Sequence, residues 1–89
     1  MNINEIPGNT PVITTKYVVE KTSDIVYVSF DEEGDFQVFS DEGADMDNVK
    51  VVSLSEIIEL DKSVTQLVDI NKGEKFYREN INSIWQKIQ

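Results

Sequence analysis

The first half of the chain follows the hydrophobic patterns of β-strands. β-Branched and aromatic residues dominate segments 12–20, 25–30 and 36–39, a composition that favours strands over helices. The Gly-containing segment 31–35 separates the second and third runs and predicts an antiparallel hairpin. After a polar loop, the valine-rich run 49–52 predicts a short fourth strand.

The second half of the chain carries helix signals. Ser53 and Glu56 have the S-x-x-E spacing of a capping box, in which a hydroxyl and a carboxylate each accept a hydrogen bond from a free backbone amide. A short helix through Leu60 should follow. Ser63 and Gln66 repeat this spacing with Gln in place of Glu, and they predict a second short helical turn.

Five apolar residues near the C-terminus are spaced 4, 3, 1 and 3 positions apart, which places them on one face of an α-helix. They are Tyr77, Ile81, Ile84, Trp85 and Ile88. This face could bind a partner. However, so short a chain needs its only tryptophan for burial, and we expect an amphipathic C-terminal helix packed on the sheet.

Together these elements predict a single α+β domain with a small antiparallel sheet of about four strands, short helices and the C-terminal helix. A chain of 89 residues buries only about 60–65% of its unfolded surface, which allows one modest core. Residues 1–11 contain Pro7 and Pro11 and are expected to form a loose N-terminal lead-in, followed by the domain at 12–89.

The composition narrows the range of partners. Seventeen acidic residues against eight basic ones give a net charge of −9, which repels nucleic acid and anionic membranes and attracts a basic protein surface. The same charge could serve solubility alone. Nothing at the N-terminus is typical of a signal peptide and no apolar run could span a bilayer, so a cytoplasmic location is expected and the oligomeric state is left open.

The chain contains no cysteine and no histidine. This excludes disulfides, thiolate nucleophiles, zinc–thiolate sites and the usual catalytic triads. No Ser, Thr, Lys or Tyr lies in a nucleophile or phosphate-binding motif. We therefore expect no catalytic residues, no cofactor and no enzyme.

Segment 31–47 concentrates carboxylates over two loops without a single Lys or Arg. The candidate partner-binding residues are Asp31, Glu32, Glu33, Asp35, Asp41, Glu42, Asp45 and Asp47. An EF-hand loop starting at Asp45 meets Val49 and Lys50 where a ligand and Gly are required, so we expect no metal site of that kind. A pair of carboxylates working as acid and base would need a rigid cleft, which hairpin loops do not supply.

Segments 34–42 and 47–54 resemble the family catalogued as domain of unknown function 2185 and now grouped with the immunity protein 33 domains. The similarity continues at Ile57, Asp61, Val64, Leu67, Val68 and Asp69, and covers roughly residues 12–79. Phe36 departs from the pattern, because relatives usually carry Trp there. The resemblance implies a small bacterial α+β domain that neutralises a toxin by binding to it without chemistry.

Two functions follow as expectations. The first is an immunity-like inhibitor that binds a toxin, such as a basic nuclease, through the acidic loops. The second is a stand-alone cytosolic regulatory or adaptor domain that binds another protein through a sheet face, around Tyr27, Phe36 and Val38, or through an edge strand. A small-molecule or ion binder is a third alternative, and a toxin gene beside this one would favour the first.

Overall fold

A computed structural model of the protein describes residues 2–88. The strands are β1 (Pro11–Thr15), β2 (Tyr27–Phe30), β3 (Phe36–Phe39), β4 (Val49–Ser53), β5 (Glu74–Tyr77) and β6 (Gln86–Ile88). The α-helices are α1 (Lys16–Val19) and α2 (Leu54–Leu60), and 3₁₀ helices span Ile3–Glu5, Met46–Asn48 and Lys62–Gln66. The α+β class is confirmed.

The sheet differs from the small antiparallel sheet that the sequence predicts. It has six strands in the order β4-β1-β3-β2-β5-β6. The pair β1–β3 is parallel, with Val12 opposite Phe36, and the other four pairs are antiparallel. A parallel pair needs a connection that returns along the sheet, and α1 together with β2 provides it. The sheet is therefore mixed.

The first predicted strand is too long, because β1 ends at Thr15 and α1 follows at once. The helix ends in a Schellman motif, in which the Lys21 amide donates to Val18 O at 3.1 Å and the Thr22 amide to Tyr17 O at 2.9 Å. Lys21 takes a left-handed φ of 56°, a position where glycine is usual. Burial of Val18 against the sheet explains why a β-branched segment becomes helical.

The predicted hairpin is confirmed as β2–β3, although β2 begins at Tyr27 and not at residue 25. The Asp31 carboxylate stabilises its turn by accepting hydrogen bonds from the amides of Glu33 and Asp35, both at 2.9 Å. Gly34 takes a φ of +91° in this turn. Residues with a side chain rarely adopt this backbone conformation, so glycine suits the position.

Both predicted helical turns are present, but only one begins at the predicted cap. Ser53 Oγ accepts from the Glu56 amide at 3.2 Å at the start of α2, which is the half of the predicted capping box that the hydroxyl supplies. The second helical turn is the 3₁₀ helix Lys62–Gln66, but its cap is Asp61, whose carboxylate accepts from the Ser63 amide at 2.9 Å. The predicted cap at Ser63 is therefore two residues too late.

The predicted C-terminal helix is wrong, because the segment forms the antiparallel pair β5–β6. β5 also pairs with β2, so its amides are satisfied within the sheet. Between the two strands, Asn80 Oδ1 accepts from the Asn82 amide at 2.9 Å, a local turn that competes with a helix. Ile84 is 76% exposed and outside the core. Trp85 is half-buried and packs against the core, with Arg78 beneath its ring at 4.1 Å.

The core lies on one face of the sheet, between the strands and the helical segments. We call this side the core face; Val12, Val28, Phe30, Phe36 and Val38 lie on it. Helical and loop residues cover these side chains, among them Val18, Leu54, Ile57, Val64 and Ile70.

The N-terminal residues lie closer to the core than the expected loose lead-in. Ile3 is 1% exposed, and its amide donates to Leu67 O at 3.2 Å. The Ser55 amide donates to Gly8 O at 2.9 Å, which joins the same segment to α2. Residue 1 lies outside the described residues.

Candidate functional site

The face of the sheet opposite the core face carries several exposed apolar side chains, although Thr15, Ser29 and Phe39 on it are buried. We call it the open face. Register places on it two rows of residues: Thr15, Tyr27, Phe39, Val49, Tyr77 and Gln86 in the first, and Ile13, Ser29, Gln37, Val51, Lys75 and Ile88 in the second. Val51 is 65% exposed and Ile88 43%. Val51 lies on the edge strand β4 and Ile88 on the opposite edge strand β6, so exposed apolar groups occur at both edges of this face.

Three rings form the centre of the first row. Tyr27 lies between Phe39 and Tyr77 as direct cross-strand neighbours on β3, β2 and β5. The Tyr27 and Phe39 ring centroids are 6.0 Å apart and the planes differ by 26°. Phe39 is nearly buried, whereas Tyr77 is 40% exposed. We call these three residues the aromatic row.

Two shallow cavities flank Tyr27 and Gln37. The aromatic cavity, of about 370 Å³, is formed by the aromatic row and loop 40–44, with Asp41 at its rim. The hairpin cavity, of about 350 Å³, lies at the other end and includes Asp31, Glu32, Glu74 and Lys75. Carboxylates therefore border the open face at both ends of β2 and β3.

The eight predicted carboxylates do not form one cluster. Asp31, Glu32, Glu33 and Asp35 lie in the turn before β3, and Asp41, Glu42, Asp45 and Asp47 lie in the loop after it. The four residues of β3 separate the groups by about 13 Å or more, at roughly 3.3 Å per residue. This exceeds the Debye length of about 8 Å at physiological salt, so the two groups act largely independently.

Three of the eight carboxylates hold the structure together. Asp31 stabilises the hairpin turn. Glu42 accepts hydrogen bonds from Ser40 Oγ at 2.6 Å and Ser23 Oγ at 2.7 Å. These two bonds lower the pKa of Glu42 below its usual value of 4.5, and the bond from Ser40 has the larger effect. Glu42, although exposed, is therefore fixed in position by Ser23 and Ser40.

Asp45 is held in a similar way. It accepts from Asn48 Nδ2 at 2.6 Å and from the Tyr17 hydroxyl at 3.0 Å. These two bonds lower the pKa of Asp45 below its usual 3.8, and the bond to Asp45 raises the pKa of Tyr17 above its usual 10.0. Asp45 thereby joins loop 41–47 to α1.

The other five carboxylates face solvent. Within residues 2–88 their side chains make no hydrogen bond or ion pair, and all five are exposed. They are Glu32, Glu33, Asp35, Asp41 and Asp47. Of these, Glu32 and Asp41 also border the open face, one at each cavity.

The sequence predicts an alternative binding surface on the sheet around Tyr27, Phe36 and Val38. Phe36 and Val38 lie on the core face, each only 1% exposed, so that surface is wrong for both. Tyr27 is on the open face. Its neighbours there on β3 are Gln37 and Phe39 instead of Phe36 and Val38. The polar Gln37 between Phe36 and Val38 signals this alternation, since successive strand residues point to opposite sides.

Among residues 2–88, no group of three or more acidic side chains is arranged to hold a metal ion. The longest helix in this range has seven residues, and none is long and apolar enough to cross a membrane.

No protein-family model, curated protein or solved structure matches this chain.

Proposed function

We propose that this domain is a non-catalytic protein-binding module that recognises a basic partner with its open face. The observation that carries the proposal is the aromatic row at the centre of the sheet, in which Tyr77 is exposed and Tyr27 partly exposed, on a face bordered by exposed carboxylates at both ends of β2 and β3. Aromatic side chains supply contact area at low entropic cost, and the carboxylates supply orientation and faster association.

Charge favours a basic partner over an acidic or neutral one. Lys75 is the only basic residue among the open-face positions, and the chain carries −9 overall. A second copy of this chain would bring like charges together at both ends of the face, which disfavours a dimer through this surface.

Inhibition of a toxin is the narrower form of the proposal. It is supported by the resemblance of segments 34–42 and 47–54 to immunity domains and by the negative charge, which suits a basic toxin such as a nuclease. In this form the domain occludes the toxin by stoichiometric binding and performs no reaction.

A stand-alone regulatory or adaptor domain is the second candidate. The observation that favours it is the exposure of Val51 and Ile88, which lie near opposite edges of the open face and away from its acidic ends. A partner held mainly by these apolar side chains would depend little on charge.

The test is affinity capture from the source cell with three baits: the parent, a loop variant and a helix variant. The loop variant is Glu32→Gln/Asp41→Asn, and the matched control is Glu56→Gln/Glu59→Gln on exposed positions of α2. Both change the net charge from −9 to −7. The partner captured by the parent is then purified, and its association rate constant is measured at 50 and 500 mM NaCl.

We expect a basic partner that the helix variant binds like the parent, whereas the loop variant associates several-fold more slowly at low salt. Equal rates for the two variants would show that only total charge matters and would contradict the assigned surface. If Val51→Ser/Ile88→Ser weakens binding but Glu32→Gln/Asp41→Asn does not, the adaptor form is favoured. Co-expression with a neighbouring toxin gene distinguishes toxin inhibition from the adaptor form. An inhibitor of the toxin should restore the growth of cells that express the toxin.

A further inference from the structure

The aromatic cavity differs from the hairpin cavity in its charge. The hairpin cavity contains its own cation, Lys75, beside three carboxylates. The aromatic cavity contains no Lys or Arg, and its single carboxylate, Asp41, has no ion-pair partner within residues 2–88. A cation from outside can therefore be paired in the aromatic cavity without displacing one that belongs to the chain.

The walls of the aromatic cavity suit a flat cation. Tyr27, Phe39 and Tyr77 present aromatic rings, and Tyr77 is the most exposed of the three. A guanidinium group stacks on such rings, is less strongly hydrated than an ammonium group, and can pair with a carboxylate through two parallel hydrogen bonds. With a volume of about 370 Å³, the cavity lies at the small end of the range for ligand sites, roughly 300–1,000 Å³.

We propose that the aromatic cavity binds one arginine side chain of the basic partner, with the guanidinium against Tyr77 and Tyr27 and paired with Asp41. This inference rests on the proposed function, and it specifies which chemical group the open face recognises. The hairpin cavity already holds a cation of its own, Lys75, and is therefore the weaker candidate for the same group.

The test is an NMR titration of the ¹⁵N-labelled protein with N-acetyl-arginine amide. N-acetyl-citrulline amide, of the same shape but uncharged, and N-acetyl-lysine amide serve as comparison probes. We expect saturable shifts for the arginine probe with a millimolar dissociation constant, centred on residues 26–27, 39–44 and 77. The citrulline and lysine probes should bind at least five-fold more weakly.

Two variants locate the site. Asp41→Asn should weaken binding of the arginine probe several-fold, whereas Asp47→Asn, an exposed aspartate outside the cavity, should leave it unchanged. Both positions are solvent-exposed, so both variants should fold, and the same spectra report this directly.

Equal binding of citrulline would show that charge is irrelevant, and equal binding of lysine would show that the guanidinium shape is irrelevant; either overturns the proposal. Shifts centred on Asp31 and Glu32 would assign the cation to the hairpin cavity and overturn it too. The proposed binding of a basic partner is tested separately, by affinity capture. It could hold even if the aromatic cavity is not selective for arginine, because the open face can bind a basic partner without that selectivity.

Discussion

Arg78 is the largest fully buried side chain in residues 2–88, and its charge is compensated within the fold. The guanidinium donates to Asp61 Oδ2 and Ser63 Oγ, both at 2.6 Å, and to Ile25 O at 2.9 Å. Trp85 covers its face and also donates from Nε1 to Ser63 O at 3.3 Å. Since a buried charge is costly unless paired and hydrogen-bonded, this network joins β5 to the 3₁₀ helix Lys62–Gln66.

Replacing Arg78 should therefore destabilise the domain strongly. We expect Arg78→Met to lower the free energy of unfolding by about 3–5 kcal/mol, because it leaves the Asp61 carboxylate buried without its partner. Arg78→Lys should lower the free energy of unfolding by less, since a lysine keeps the positive charge although it lacks the planar set of guanidinium donors. Urea denaturation measures both.

Lys62→Met provides the control for this prediction, since Lys62 is an exposed cation next to Asp61, and it should change stability by less than about 0.5 kcal/mol. If Arg78→Met lowered the free energy of unfolding no more than Lys62→Met, the buried ion pair would contribute nothing to the stability of the fold.

Asp61 makes the stability of the domain depend on acid. Burial favours the protonated carboxyl, but hydrogen bonds from Ser63 and the charge of Arg78 outweigh it and hold the pKa of Asp61 below its usual 3.8. A pKa lowered by folding contributes stability above the unfolded value of about 3.9, and this contribution is lost as the pH falls through the folded pKa.

The free energy of unfolding should therefore fall between pH 5 and pH 2.5, and it should fall less steeply in Asp61→Asn. Urea midpoints at intervals of half a pH unit measure the two slopes. Parallel slopes would mean that Asp61 does not titrate differently in the folded and unfolded states.

At the scale of elements, β5–β6 adds two strands to one edge of the sheet. β5 pairs with β2, while β6 pairs only with β5 and contains no buried residue. The connection between them brings Trp85 onto Arg78. Besides the β2–β5 ladder, the hairpin is therefore held by the Arg78 network, by the packing of Phe76 and Trp85 against the core and by the Glu74–Lys87 ion pair.

Trp85 and its neighbour Ile84 offer a matched comparison. Trp85 packs against the core, whereas Ile84 is 76% exposed. We expect Trp85→Ala to lower the free energy of unfolding by about 3 kcal/mol, the low end for tryptophan truncation because the ring is only half-buried. Ile84→Ala should change it by less than about 0.5 kcal/mol. Thermal and urea unfolding measure both variants. If Trp85→Ala and Ile84→Ala lowered the free energy of unfolding by similar amounts, the contact of Trp85 with the core would be contradicted.

For the whole molecule, most of the negative charge is unpaired. Two ion pairs occur within residues 2–88, Asp61–Arg78 and Glu74–Lys87. With a net charge of −9, the compact state experiences repulsion that salt reduces. The exposed negative charge therefore lowers the stability of the domain at low salt.

Adding salt should therefore stabilise the parent more than a neutralised variant. Replacing the five solvent-facing carboxylates, Glu32, Glu33, Asp35, Asp41 and Asp47, with their amides brings the net charge from −9 to −4. The melting temperature of the parent should rise between 10 and 300 mM NaCl, and that of the variant should rise less. Calcium chloride at equal ionic strength should act like sodium chloride; a larger, saturable rise would indicate an ion site.

Local sequence patterns determined several parts of this fold. The β2–β3 turn, the β4 strand and the Ser53 cap each depend on residues a few positions apart. Turn and cap geometry is satisfied by hydrogen bonds within one or two turns of chain, so the sequence alone predicts it. The surplus of acidic residues is also read directly from the sequence.

Only the tertiary structure decided the remainder. The parallel β1–β3 pair, the helical residues after Thr15 and the strands at the C-terminus depend on partners elsewhere in the chain. Arg78 reads as a surface residue in the sequence, yet it is buried by contacts to Ile25, 53 positions away. The open face is likewise fixed by which side the helices cover. Such contacts override local propensity because burial and ladder hydrogen bonds outweigh its differences of about 1 kcal/mol or less per residue.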